Sequence, residues 1–415
     1  MRIGFISTRL NGTDGVSLEV EKWMHVLRRM GHETFFCAGE LGGYAAGGAL
    51  IPELHFDHKS AISVSQRAFG SNRDQVDSRK LVGDIYTQAD KIRTPLRKFI
   101  RSNKLDVIIV ENALTIPMNL ALGVALTGLI AELGIDTIAH HHDLFWERQR
   151  YQTNNILDLL DTAFPAKLPT IQHVTINSIA QNRLKSRRGI TSEVIPNVHD
   201  FATPPPEVDA YNQDFREALN LGADELFILQ PTRVIQRKGI EMALGLVSRL
   251  DIPKKQIFIT HQASDEGLEY WRWLKREAGM VRVDLKLVDH LIHTERSTAN
   301  GHKIYSLWDA YPHANLVTYP SIYEGFGNAL LEAIYFNSLI VINRYPVYNA
   351  DIGPLGFEFV ELDGFVDDGA VEKTQALLAD PEQVQEMAKK NYALAQEYFS
   401  FEVLEKKLRA ILSNF

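Results

Sequence analysis

Two glutamates, Glu324 and Glu332, stand eight residues apart in the stretch Tyr319–Glu332, YPSIYEGFGNALLE. The run at 314–319 that leads into them is apolar and strand-like, Gly325 and Gly327 permit a turn, and the residues from Asn328 onward favour a helix. Backbone N–H groups at such a helix start are unpaired and suit a phosphate or another anion. With the helix beginning near Asn328, Glu324 lies in the loop ahead of it and Glu332 about one turn in, so both carboxylates can face one ligand. A cationic pair, Arg233 and Lys238, occupies a second strand–turn–helix segment at 225–250, where it can hold a diphosphate and stabilise it as it leaves. A third polar group, His140, His141, His142 and Asp143, ends an apolar run at 135–151. The histidines invite a metal, but adjacent side chains point apart and no H-E-x-x-H or comparable spacing accompanies them, so the sequence argues for no metal.

The elements that must position these groups follow a β/α alternation. Residues 2–6 read as a strand, 7–15 as a polar loop holding Gly12, Thr13, Asp14 and Gly15, 16–30 as a helix closed by Gly31, and 31–37 as a second strand. This β-α-β opening lacks the full G-x-G-x-x-G fingerprint, which weighs against a nicotinamide oxidoreductase. Residues 38–105 are poorly readable; Arg73, Arg79 and Lys80 fit solvated helix faces at least as well as an anion site. The runs at 105–112 and 135–151 read as buried parallel strands whose polar ends open on a binding crevice, with an apolar helix at 118–134 between them. Trp146 and Arg148 follow the second run and become acceptor-side candidates by position.

The segment ThrProProProGluVal at 203–208 cannot continue a helix or central strand and marks a connection between domains. The second half repeats the alternation: strand, turn and helix at 225–250, a strand near QIFITHQ, a helix at GLEYWRWLKREAG, a strand at VRVDLKLV, a polar loop at 293–302 and a short helix at IYSLWDAY. Helices close the chain from about Pro381 to Tyr398 and from Phe401 to Ile411. The expected organisation is therefore an N-terminal domain at 1–202, a linker at 203–222, a second domain at 223–398 and a terminal helix at 399–415.

A chain of 415 residues exceeds what one core usually supports. With 44 basic against 52 acidic residues, the net charge of −8 argues against nonspecific nucleic-acid binding but leaves room for a local phosphate pocket. The single cysteine, Cys37, ends a strand-like run and reads as core filler; no intrachain disulfide can form, which fits a reducing compartment. The N-terminus is too quickly polar for a signal peptide, and the apolar 118–134 segment carries Glu132 and two glycines, so it reads as a helix against a sheet and not a membrane span. A cytoplasmic protein is expected, and a homo-oligomer is compatible with the sequence.

The pattern Pro320, Ser321, Glu324, Gly325, Phe326, Gly327, Leu331, Glu332 and Ala333 resembles the E-x7-E motif of family 4 of the retaining nucleotide-sugar glycosyltransferases, which have the GT-B fold. The resemblance extends to Gly12–Gly15 as a loop holding acceptor or donor phosphate, to His142, with His141 as runner-up, as the histidine near the donor hexose, and to Pro196, Asn197 and Asp200 ahead of the linker. Arg233 and Lys238, followed by Gly239, match the family's donor-phosphate site. The sequence departs from the family after the motif, where Arg344, Tyr345, Pro346 and Tyr348 replace a small, glycine-rich stretch.

The resemblance implies an α/β protein of two Rossmann-like domains facing across a cleft, with the last helix crossing back to the first domain. It implies transfer of a hexosyl group from a nucleoside-diphosphate sugar, of UDP-glucose or GDP-mannose type, to a hydroxyl of a small soluble acceptor, with retention. Glu324 would approach the donor hexose and Glu332 the nucleotide ribose, while Gly325, Phe326, Gly327, Asn328 and Ala329 would line the donor site. His141, Asp143, Trp146 and Arg148 would face the acceptor. No cofactor is required on this reading, and the absence of any D-x-D disfavours the metal-dependent GT-A class. A sugar-nucleotide epimerase of similar fold and a noncatalytic sugar- or nucleotide-binding protein are the alternatives.

Overall fold

A computed structural model describes residues 1–12, 14–44, 47–222, 224–261, 263, 268–299 and 301–415. The chain divides into two compact units, one of Met1–Asn197 with Phe401–Phe415, the other of Val198–Ser400.

The first unit is built on a seven-stranded sheet with strand order β3-β2-β1-β4-β5-β6-β7. The strands are β1 (Arg2–Ser7), β2 (Glu33–Ala38), β3 (Ala49–Leu50), β4 (Val107–Glu111), β5 (Asp136–His141), β6 (Ile171–Thr175) and β7 (Ser192–Val194). Every pairing is parallel. A parallel sheet is covered on both faces, and accordingly all five residues of β4, ValIleIleValGlu, are buried. Helix α1 (Gly15–Arg29) is started by Asp14, whose carboxylate accepts from the amides of Val16 and Ser17. The unreadable stretch holds two amphipathic helices, α2 (Lys59–Phe69) and α3 (Ser78–Ser102). The apolar segment forms α4 (Leu120–Leu133), buried nearly all round in the core and stopped by Gly134 in the left-handed region. Among the described residues no helix is long and apolar enough to cross a membrane.

The second unit has a six-stranded parallel sheet of order β10-β9-β8-β14-β15-β16. It comprises β8 (Ile228–Gln230), β9 (Gln256–Ile259), β10 (Asp284–Leu287), β14 (Leu316–Tyr319), β15 (Ile340–Asn343) and β16 (Val360–Leu362). Helix α5 (Ile240–Arg249) follows β8, and α6 (Asn328–Tyr335) follows β14. Three short strands, β11 (Ile292–His293), β12 (Ser297–Ala299) and β13 (His302–Ser306), form a separate small sheet. This sheet has no local signature: its edge strand is short, polar and exposed, and β13 takes up Ile304–Ser306, leaving only Leu307–Ala310 for the expected helix. Residues 203–222, read as a linker, are folded into this unit. Phe215 is fully buried against Phe227, Asn212 donates to Asp309 Oδ1 at 3.2 Å, and the Pro204 carbonyl accepts from Tyr335 at 3.0 Å.

Helix α7 (Pro381–Phe399) ends the second unit, and α8 (Phe401–Leu412) belongs to the first. There Arg29 of α1 reaches Glu402 at 3.2 Å and Glu405 at 2.8 Å, and Phe401 lies against His25.

In an open parallel sheet, ligands bind beyond the carboxyl ends of the strands where the strand order reverses. That point lies between β1 and β4 in the first unit and between β8 and β14 in the second.

Candidate functional site

At the reversal point of the second unit, the loops after β8 and β14 bring Lys238 to Glu324. Lys238 Nζ donates to Glu324 Oε1, and Arg237 Nη1 donates to Oε2 at 2.9 Å. The Lys238 ammonium also sits 5.6 Å from the centre of the Tyr319 ring. Both Lys238 and Glu324 are buried. Burial alone would raise the Glu324 carboxyl, but Lys238 and Arg237 outweigh it and hold the group at about 2. Burial lowers Lys238, with Glu324 opposing the change. The close approach of the two loops needs Gly239: at φ +59, a Cβ there would stand 2.4 Å from the Pro320 carbonyl oxygen. Beneath the loops, Thr318 donates to Gln230 Oε1 at 2.6 Å, and Gln230 donates to Thr232 at 2.7 Å, which satisfies the buried polar groups at the strand ends.

The remaining motif residues differ in burial and in what they contact. Gly325 is half-buried, Gly327 lies at φ +132, and α6 begins at Asn328 with Ala329 next. The Phe326 ring is buried edge-on to Phe399, so this residue offers a ligand its backbone only. Its carbonyl accepts from Tyr345 at 2.6 Å, and Tyr348 donates to Glu361. Tyr345, one of the residues that set this sequence apart from the family pattern, thus buttresses the motif loop. Glu332 is half-buried and accepts from Tyr311 at 3.3 Å. Arg233 is exposed in the loop after β8. His261, just past β9, was passed over in the sequence; burial, then the charges of Lys238 and Arg233, lower its imidazole to about 4.

In the first unit, the residue that organises the polar cluster is Glu111, also missed from sequence. Parallel pairing sets Glu111 at the end of β4 opposite His140 of β5. Its Oε2 lies 2.9 Å from His142 Nε2 and 3.0 Å from His140 Nδ1. Side chains alternate along a strand, so His140 and His142 share one face and His141 takes the other. His141 Nε2 meets His173 Nδ1 there at 2.9 Å, and burial lowers both rings, His173 to about 4. The sequence argument that neighbouring histidines point apart was right for His141 and overlooked the i, i+2 pair.

Burial would raise Glu111, yet His140 and His142 hold its carboxyl at about 2. Burial lowers His140, whereas at His142 the bond to Glu111 outweighs burial and leaves the pKa raised. An ionised carboxylate only accepts, so His142 donates through Nε2, which leaves Nδ1 as its second polar atom. Trp23 of α1 stacks on His140 with ring centres 4.3 Å apart. Asn112, in the left-handed region at φ +59, accepts from the amides of His142 at 3.1 Å and Asp143 at 3.3 Å and so fixes the backbone of this turn.

Glu111, His140 and His142 are the described residues whose ligand atoms gather closely enough to hold a metal. His142 Nε2 is hydrogen-bonded to Glu111 at 2.9 Å, while His140 Nδ1 lies 3.0 Å from the same oxygen without hydrogen-bond geometry. Two ligands about 2.1 Å from a tetrahedral ion would stand roughly 3.4 Å apart. The Glu111 carboxylate stands between the two imidazoles.

Of the other first-unit candidates, Asp143 is paired with Arg148, while Trp146 is buried in the core with Arg187 5.6 Å from its ring. Gly12 is exposed, Asp14 caps α1, and Gly15 is its first residue. Thr13 lies outside the described residues.

No family model matches the chain. A mannosylglucosylglycerate synthase of Petrotoga mobilis is 37% identical over 393 residues, covering 87% of this chain and 86% of that protein. One of Thermotoga maritima is 32% identical over 98% of each. Among solved structures, a glycosyltransferase of Rickettsia africae superposes with a TM-score of 0.70 at 12% identity, covering 100% of this chain and 99% of that one. Anabaena HepE, in complex with UDP and glucose, gives 0.67 at 13% identity over 100% of this chain and 99% of its own. Two parallel-sheet units with these neighbours show the GT-B fold, and the two relatives make the chain a glycosyltransferase. Within that class, the chain belongs to the mannosylglucosylglycerate synthase family.

Proposed function

We propose that the protein transfers a mannosyl group from a nucleoside-diphosphate mannose to a hydroxyl of glucosylglycerate, with retention at the sugar carbon. The observation that carries this reading is the identity of 37% across most of both chains to a protein named for the product mannosylglucosylglycerate. The buried cluster of Lys238, Arg237 and Glu324 at the second unit's reversal point supports donor binding there.

In this reading, Arg233 and Lys238 compensate the departing diphosphate together with amides from Gly325 to Ala329. Glu324 approaches the donor hexose, and Glu332 the ribose. The bond from the sugar carbon to the phosphate oxygen breaks as the bond to the acceptor oxygen forms on the same face. The acceptor proton passes to the leaving phosphate oxygen, so no protein nucleophile is needed. His142, held by Glu111, serves near the reacting centre, and the loop of Gly12, Asp14 and Gly15 serves the acceptor or phosphate. The reaction needs no metal or organic cofactor and runs in the cytoplasm.

The test is incubation with GDP-mannose, UDP-glucose and related donors against glucosylglycerate, glycerate and neutral glucosides, with products identified by mass. Mannosyl addition to glucosylglycerate is expected. Donor hydrolysis or epimerisation with no acceptor product would refute the proposal.

A further inference from the structure

The first unit's reversal point carries a small cavity of about 100 Å³, lined by polar residues leaving β1 and β4 and by the apolar side chains of Val16, Phe56, Ala113, Ile116 and Met118. Ser7, Thr8 and Arg9 come from the first strand, Glu111 and Asn112 from the second, and Asp14 closes the side toward α1. Its volume corresponds to roughly three water molecules. That suits a three-carbon acid and is too small for a hexose.

The cavity wall contains one cation, Arg9. Its Nη2 donates to Asp14 Oδ2 at 3.2 Å, and the guanidinium lies 5.3 Å from the Phe56 ring centre, which steadies the plane of the fork. Asp14 does not depend on this contact. Its Oδ1 accepts from the amides of Val16 and Ser17 at 3.1 and 3.2 Å, and its Oδ2 accepts from the Ser17 hydroxyl at 2.9 Å. An incoming carboxylate can therefore replace Asp14 on Arg9 while Asp14 keeps its bonds to α1. Arg presents a planar set of donors matched to a carboxylate, and the hydroxyl and amide groups of Ser7, Thr8 and Asn112 can meet the hydroxyls beside it. Glu111 belongs both to this wall and to the pair with His142, so a bound acid would lie one residue from that histidine.

We infer that this cavity is the subsite for the carboxylate end of the acceptor and that Arg9 is the residue that recognises its charge. The inference rests on the proposed acceptor class, since it takes the ligand to be a sugar linked to a small hydroxy acid. Such a subsite would make the enzyme prefer such an acid to the corresponding neutral glycoside.

The experiment is calorimetric titration of the full-length protein with glucosylglycerate and with its uncharged analogue glucosylglycerol, for the wild type, Arg9→Ala and Arg9→Lys. Circular dichroism confirms that each variant is folded. The wild type should bind the acid at least ~10-fold more tightly, the scale of one hydrogen bond to a charged group. Arg9→Ala should collapse that ratio toward unity, and Arg9→Lys should restore part of it. A wild type that does not discriminate between the two ligands, or an Arg9→Ala protein with the ratio unchanged, overturns the assignment. Binding does not require turnover, so a wild type that discriminates through Arg9 yet transfers no mannose would retain the subsite and refute the proposed reaction instead.

Discussion

Replacing Lys238 by Met removes the cation that holds Glu324 ionised in a buried setting. Glu324 is lowered from its ordinary 4.5 to about 2, a difference worth about 3 kcal/mol at neutral pH. Because the folded value lies below the unfolded one, this stabilisation is fully present above pH 4.5 and is lost as pH falls through about 2. Lys238→Met leaves the carboxylate with Arg237 and no ammonium, and breaking a buried pair in this way costs about 3–5 kcal/mol. Glu324→Gln leaves the ammonium buried beside a neutral amide and should cost a similar amount. In the double variant neither charge remains unpaired, so its loss should fall short of the sum of the singles by about 3 kcal/mol. Urea unfolding of the four proteins, followed by a probe in the second unit, closes the cycle. A coupling energy under about 0.5 kcal/mol would show that the contact is only geometric and refute the argument. Turnover should drop strongly in both single variants, and the double variant should regain stability without regaining turnover.

Three other changes test separate parts of the account. Glu111→Gln removes the negative charge that raises His142, so the imidazole titration followed by NMR should move to lower pH; an unmoved titration would mean that Glu111 does not control this ring. With its folded pKa raised, His142 contributes stability below pH 6.5 that is lost as pH rises through the folded value, and the variant should lack that dependence in its melting temperature. Gly239→Ala must place a Cβ 2.4 Å from the Pro320 carbonyl oxygen at a positive φ, and should lower the melting temperature and raise the donor KM together; normal values for both would contradict the close loop approach. Tyr345→Phe leaves the buried Phe326 carbonyl without its donor and should cost about 1–3 kcal/mol by urea unfolding, whereas no loss would show that the bond does not hold the motif loop.

The parts of the molecule legible in the sequence were those whose cause is local. The strand–turn–helix segments around Lys238 and Glu324 follow from apolar runs, glycines and helix-forming residues within a few positions of each other. Glu111 was not legible because its role depends on parallel register: nothing near LDVIIVEN shows that its glutamate will stand opposite His140. The separation of His141 from His140 and His142 was readable in principle, since alternation along a strand requires it. Tyr345 and Tyr348 read as departures from a family pattern that bore on substrate choice. The Tyr345 hydroxyl bonds to Phe326 and supports the motif loop, and that of Tyr348 bonds to Glu361, contacts visible only once the chain is folded. The segment at 203–222 looked like a connection because of its prolines, yet Phe215 anchors it in the second unit's core.

The most direct test of the central claim is NMR of the product purified after incubation with GDP-mannose and glucosylglycerate. The account predicts a new glycosidic linkage from mannose to the acceptor, with the anomeric configuration of the donor preserved. An inverted linkage would contradict the retaining reaction, and recovery of the acceptor unmodified beside consumed donor would contradict transfer itself.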